Sequence, residues 1–264
     1  MRLLSLAGFT LLLFISASNR QPDQLKAYHQ YKNANDLNGY INYLFDKTDE
    51  TPVLAGKADS LLSTLWRNAR STDEKLSYYH LLTNLAYHLL QGGRVKESTR
   101  WYEQVFQFYQ KNKTDASLVS EMNVEEYVCK PLGNNYTRIG DFSKATVIQE
   151  FAIASAKAQG KKEMLPSLYA NLATTFFYRR DYAAVQLITN NGLDELQDQH
   201  QSAAILLYNL KTDAYLETGQ IDSADYWNQK VLNYETIYKE NANWKVTSLI
   251  NKSRILNDQN DFQS

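Results

Sequence analysis

Pro131-Leu132-Gly133-Asn134-Asn135-Tyr136-Thr137-Arg138-Ile139-Gly140-Asp141-Phe142 is the stretch whose reading decides the fold. An apolar residue, a small one, two spacers and a large ring lead into a glycine turn, and a second apolar residue follows. The same order recurs in Leu85-Ala86-x-x-Leu89 with Gly93-Arg94-Val95 and in Leu172-Ala173-x-x-Phe176 with Arg180-Asp181-Tyr182. It continues in Thr212-x-x-Tyr215 with Gly219-Gln220-Ile221, and in Ser253-x-x-Leu256 with Asn260-Asp261-Phe262. Between the large apolar residues Leu89, Tyr136, Phe176, Tyr215 and Leu256 the steps are 47, 40, 39 and 41 residues, an internal period of about 40.

Residue type and spacing specify two helices per period. A small residue one turn before a large one lets a neighbouring helix approach while the larger side chain fills the groove beside it. Gly93, Gly140, Gly219 and Asn260 then stand where the first helix, A, has to stop in the left-handed region, with Arg180 as the exception. Beyond each turn comes a usually small position (Ser98, Ala145, Val185, Ala224), a bulky one three residues on (Trp101, Ile148, Ile188, Trp227), and a third four later (Val105, Ala152, Gly192, Val231). These spacings place all three on one face of a second helix, B, that packs on helix A. The chain is therefore expected to be all-α, with residues 71–264 forming antiparallel helix pairs. Pro131, inside helix A, is expected to kink that helix or mark its start. In this frame the fifth unit has helix A but no helix B by Ser264, which predicts either a longer parent protein or another chain covering that end.

The flanking sequence agrees with a helical chain. Only 4 Pro and 10 Gly occur among 264 residues, with 44% hydrophobic and 22% charged residues. A formal net charge of −1 supplies no field to gather phosphates, so nucleic-acid binding is not expected. Arg2, an apolar run from Leu3 to Ile15 and the small residues Ser16-Ala17-Ser18 have the order of a cleaved signal peptide over residues 1–19. That run is too short for a hydrocarbon core needing about 20 residues, so an exported chain without a membrane span is expected. Residues 20–70 are expected to form an N-terminal helical capping pair, with Leu61, Leu62, Leu65 and Trp66 on one helix that Pro52 opens. Ser71-Thr72-Asp73-Glu74 reads as a capping box for the next helix.

No catalytic constellation, metal site or cofactor site is expected. His29, His80, His88 and His200 stand without Cys, Asp or Glu at metal-ligand spacing, and no nucleophile elbow or phosphate loop occurs. The lone Cys129 falls on a packing position and is expected to be buried.

The frame resembles the tetratricopeptide repeat (TPR) from about Ser71 onward, although its period exceeds that family's usual length of about 34 and the family's closing proline is absent. The resemblance implies a right-handed superhelical solenoid whose A helices line a concave groove. It assigns to that groove Tyr127, Lys130, Asn134, Thr137 and Arg138, then Asn171, Thr174, Phe177 and Tyr178, then Asn209, Asp213 and Glu217. Lys130, Asn134 and Asn171 match three positions of the clamp with which some TPR domains hold a peptide's terminal carboxylate, but Leu206 and Leu210 replace its other two residues. The exported, long-period units with Lys130-Pro131-Leu132-Gly133-Asn134-x-Tyr136-Thr137-Arg138-x-Gly140-Asp141 are similar to the repeat regions that precede a CHAT (caspase-like) domain. That implies a non-enzymatic recognition arm binding a protein or peptide, with a further C-terminal module. Two rival expectations are a sensor arm of another signalling protein and an exported glycan-binding protein.

Overall fold

A computed structural model describes residues 72–196, 201–238 and 242–261. The expected signal peptide, the capping pair at 20–70, Ser71, His29, His200 and Phe262 lie outside the described residues. Two compact units divide the chain, Met1–Asn123 and Val124–Ser264.

The turn positions carry the local folding code. Gly93, Gly140, Arg180 and Gly219 have φ of 74°, 82°, 60° and 68°. At each turn the following residue's N–H reaches back to the carbonyl of the large apolar residue, from Arg94 to Leu89, Asp141 to Tyr136, Asp181 to Phe176 and Gln220 to Tyr215 at 2.9–3.0 Å. This is a Schellman closure, which satisfies carbonyls that a helix end otherwise leaves open. Arg180 adopts the same conformation with a side chain, at the steric penalty that glycine avoids. Two of the next helices are then opened by aspartate: Asp141 accepts from Lys144 N–H and Asp181 from Ala184 N–H.

In the first unit, α1 (Thr72–Gln91) and α2 (Val95–Asn112) form a helix pair, followed by the short α3 (Ala116–Met122). Tyr79, Leu82, Leu85, Ala86 and Leu89 are buried on α1, and Ser98 of α2 donates to the Ala86 carbonyl at 2.7 Å. The Tyr79 hydroxyl bonds the Met122 carbonyl, and Asn123 ends α3 with φ 36°. The added helix α3 accounts for the first period's being 47 rather than about 40 residues.

The second unit opens with a π-helical turn (Glu125–Cys129) that runs into α4 (Lys130–Ile139), followed by α5 (Phe142–Ala158). Pro131 sits in the first turn of α4, so it marks a start. The Lys130 N–H skips to the Glu125 carbonyl, a widened turn that carries the helix into proline. A 3₁₀ turn (Lys162–Met164) leads to α6 (Leu165–Tyr178) and α7 (Tyr182–Asp194). The unit continues with α8 (Gln201–Glu217), α9 (Ile221–Tyr238) and α10 (Ala242–Asp261).

Within this unit α4, α6, α8 and α10 pack in succession as the A layer, while α5, α7 and α9 each pack on their own A helix and on the next. The predicted B positions Ala145, Val185, Ala224, Ala152, Gly192 and Val231 are buried as expected. The fifth register is corrected. Leu256 is exposed and Ser253 faces solvent, while Ser248, Asn251 and Ile255 are buried, so the repeat falls one residue earlier than Ser253-x-x-Leu256 suggests. Asn260 is not a stop either, because α10 runs to Asp261.

Candidate functional site

The joints between successive pairs are unlike one another. Between the α4/α5 and α6/α7 pairs, Gly133 lies so close to α5 that an added Cβ would stand 2.6 Å from Gln149 Cγ. That approach lets Gln149 Nε2 donate to the Asn171 carbonyl at 3.2 Å while its Oε1 accepts from the Thr175 hydroxyl at 2.8 Å. Thr137 and Thr175 share a further bond of 2.7 Å. Between α6/α7 and α8/α9, Gly192 nestles between Tyr169 Cβ and Leu207, and Lys211, 2% exposed, donates to Gln186 Oε1 at 2.9 Å and Asn190 Oδ1 at 2.8 Å. Its ammonium lies 4.7 Å from the Trp227 ring centroid. Burial pushes the lysine down to about pKa 8.

The third joint is ionic and amide-rich. Asn228 and Ser248 exchange bonds of 2.8 and 3.1 Å, Asn251 donates to Asp213 at 2.8 Å, and Lys252 and Arg254 pair with Asp225 and Glu217. Ile255 completes a cluster with Leu216 and Ala224. Upstream, Glu125 is a buried carboxylate at the π turn. Burial alone would raise its pKa, but bonds from Lys161 and Ser155 outweigh that and hold it below the usual range. Cys129, one turn on, is buried, and burial followed by the Glu125 charge pushes its thiol pKa far up, which makes it a packing residue.

Against these joints the predicted groove residues sort into two groups. Glu126, Lys130, Asn134 and Arg138 recur at four-residue intervals along the π turn and α4. Tyr127 is 56% exposed and Arg138 is exposed, while Asn134 is half-buried. Lys130 is already paired with Glu126 at 2.9 Å, so its charge is satisfied within its own helix. On α6, Tyr178 is 64% exposed, and Phe177 packs edge-on against Tyr182 at 5.6 Å. Asn171 is half-buried, with its side-chain Nδ2 enclosed and lacking a partner. Thr174 turns its hydroxyl to the Ala170 carbonyl.

Three groove expectations are corrected. Thr137 is buried in the first joint, Asn209 is buried with its amide donating to the Ile205 carbonyl, and Asp213 is taken up by Asn251. Glu217 is exposed but engaged by Arg254. Leu206 and Leu210 are half-buried, so the two positions that depart from a carboxylate clamp serve packing.

One feature escaped the sequence reading. Val147, Leu187 and Tyr226, each five residues after the first residue of its B helix, are all exposed, an apolar position repeated in α5, α7 and α9. The equal positions in successive B helices follow from the frame, but periodicity does not tell an exposed apolar position from a packed one.

The chain is similar to the crystal structure of BtubC (BKLC) from P. vanneervenii, at 15% sequence identity and a TM-score of 0.56, over 83% of this chain and 89% of that one. The fold is an all-α helical repeat. At that identity the likeness speaks to the fold alone. No protein-family model matches the helical-repeat chain, and no curated protein matches it. Among its described residues no helix is long and apolar enough to cross a membrane.

Proposed function

We propose that this helical repeat is an exported, TPR-type scaffold without catalytic activity that binds a peptide or protein along its A layer. The observation that carries the reading is the pairing of packed, polar joints with solvent-facing recognition groups on adjacent A helices: Tyr127 and Arg138 on one, Tyr178 on the next. A rigid framework presenting tyrosines and an unburied arginine suits capture of an extended segment, since such side chains give large contact area and charge-assisted bonds. The partner's terminal carboxylate is not the expected anchor, because Lys130 is held by Glu126 and leucines occupy the clamp's other two positions.

The similarity of the second unit to repeat regions preceding CHAT domains supports placing the chain as the recognition arm of such a protein, and the leader-like residues 1–19 support export. A glycan-binding role is less favoured, because Trp101 is buried and Trp227 is covered by Lys211. Panning a displayed random-peptide library on the purified chain tests the reading. Peptides whose binding falls at least tenfold with Arg138→Glu or Tyr178→Ala are expected; enrichment of none, or of peptides indifferent to both changes, would refute it.

A further inference from the structure

Arg180 stands where the equivalent turns have glycine. Gly93, Gly140 and Gly219 end their A helices at positive φ, and Arg180 does the same at φ 60°. A β-carbon is crowded in that region, so an arginine there is strained where glycine would not be. Attraction to the helix dipole accounts for a cation at the end of α6, but Arg179 supplies it with ordinary helical backbone at φ −75°. The Arg180 side chain is exposed and, among the described residues, makes no hydrogen bond or ion pair. Nothing within the fold offsets its strain.

The neighbouring residues give that charge a context. The Thr137 and Thr175 hydroxyls, 2.7 Å apart, fix the ends of α4 and α6 side by side. Arg138 and Tyr178 hold the same repeat position on these two helices, and both are exposed. Arg138 likewise has no ion pair among the described residues. Arg179 is exposed too, with its guanidinium 4.8 Å from the Phe176 ring centroid. Three arginines thus share one edge of the A layer. Of the carboxylates at the same two turns, Asp141 lies 3.3 Å from the Lys144 ammonium. That leaves Asp181, whose Oδ1 is taken up by the Ala184 N–H at 3.1 Å. The surplus at this edge is positive.

We propose that Arg138, Arg179 and Arg180 form an acid-reading edge of the A layer, and that the segment it takes is a peptide carrying Asp or Glu side chains beside a residue that packs on Tyr178. A guanidinium presents parallel donors that match both oxygens of a carboxylate. Glycine at position 180 would relax the turn but remove one of those groups, so the strain is tolerated where the charge is used. The proposal rests on the reading of the A layer as a peptide-binding surface and adds the chemical class of the peptide.

Panning two displayed peptide libraries on the purified chain, one fully random and one lacking Asp and Glu, tests it together with urea unfolding of the variants. Enrichment of acidic peptides from the first library and of none from the second is expected. For a selected peptide, Arg180→Ala keeps the strained backbone and drops the charge, and should weaken binding about tenfold at low salt. Arg180→Lys should bind between the two. Arg180→Gly should lose affinity as Arg180→Ala does while raising the urea midpoint, because it relieves the turn. Enrichment of acid-free peptides, or of acidic peptides indifferent to Arg180→Ala, would overturn the acid-reading edge and leave the peptide-binding surface standing. An Arg180→Gly chain no more stable than the parent would overturn it as well, by removing the strain. No enrichment from either library would overturn the edge and the peptide-binding reading together.

Discussion

The first two joints of the second unit bury polar groups to opposite effect. At Gly133, Gln149, Thr137 and Thr175 every partner is neutral, and the amide and hydroxyls satisfy one another through short bonds. At Lys211 a full positive charge is buried with amide oxygens and the Trp227 and Tyr215 rings to hold it, and among the described residues no carboxylate pairs with it. The first joint is insensitive to pH and intolerant of lost bonds. The second titrates, because its cation is held in place by dipoles alone. Two joints of one repeat thus reach similar packing by different chemistry, and their variants should respond differently.

The largest effect is expected where the backbones approach most closely. Gly192→Leu would drive a side chain into Tyr169 Cβ and Leu207, both 2.9 Å from the first added carbon, and should destabilise by about 3 kcal/mol or more in urea unfolding. A change below about 1 kcal/mol would mean that α7 and α8 slide freely, against the account of this joint.

Gln149→Ala comes next. It removes the Gln149 bonds to the Thr175 hydroxyl and the Asn171 carbonyl from a buried network and should cost about 1–3 kcal/mol. Gly133→Ala, whose added carbon meets Gln149 Cγ in the parent, should then cost less in the Gln149→Ala background than alone. Strict additivity in that double-mutant cycle would uncouple the glycine from the glutamine.

Lys211→Met should change stability near neutral pH by less than about 1 kcal/mol, since losing an unpaired buried charge offsets the loss of two hydrogen bonds. The pH dependence is the sharper difference. The folded lysine titrates at about 8, below its unfolded value of about 10.4, so between those values the unfolded chain binds more protons. Stability contributed through Lys211 therefore rises as pH climbs through that window, and the rise should vanish in Lys211→Met while persisting in Gln149→Ala. Equal slopes in parent and Lys211→Met would remove the contrast. The smallest effect is expected at the exposed pair: Arg254→Ala should cost no more than about 1 kcal/mol and less in high salt.

How far the fold was legible depended on whether the chain marks a position by conformation or only by residue size. The turns at Gly93, Gly140 and Gly219 were readable because few other residues accept a positive φ, and the frame carried the reading to Arg180 even though its side chain argues against it. The fifth register slipped because its helix has no glycine turn, so Ser253-x-x-Leu256 and the true Lys252-x-x-Ile255 both offer an apolar residue at the required spacing. Contact of Ile255 with Leu216 and Ala224 decides between them, and that contact is a tertiary fact. The candidate site was legible as a set of faces but not as exposures. Thr137 and Asn209 have the polarity of groove residues, yet a hydroxyl or amide that bonds within a joint has the same sequence signature as one that faces water. The aspartate caps at Asp141 and Asp181 were present in the sequence directly after the turns and went unread as caps.

The central claim is that the A layer of the second unit does the binding while the B layer, despite its exposed Val147, Leu187 and Tyr226, supports it. Amide hydrogen exchange of the chain with and without a library-selected peptide tests this most directly. The account predicts added protection in residues 125–139 and 165–178, with α5 and α7 unchanged. Protection that falls instead on α5, α7 and α9 would place recognition on the B layer and contradict it.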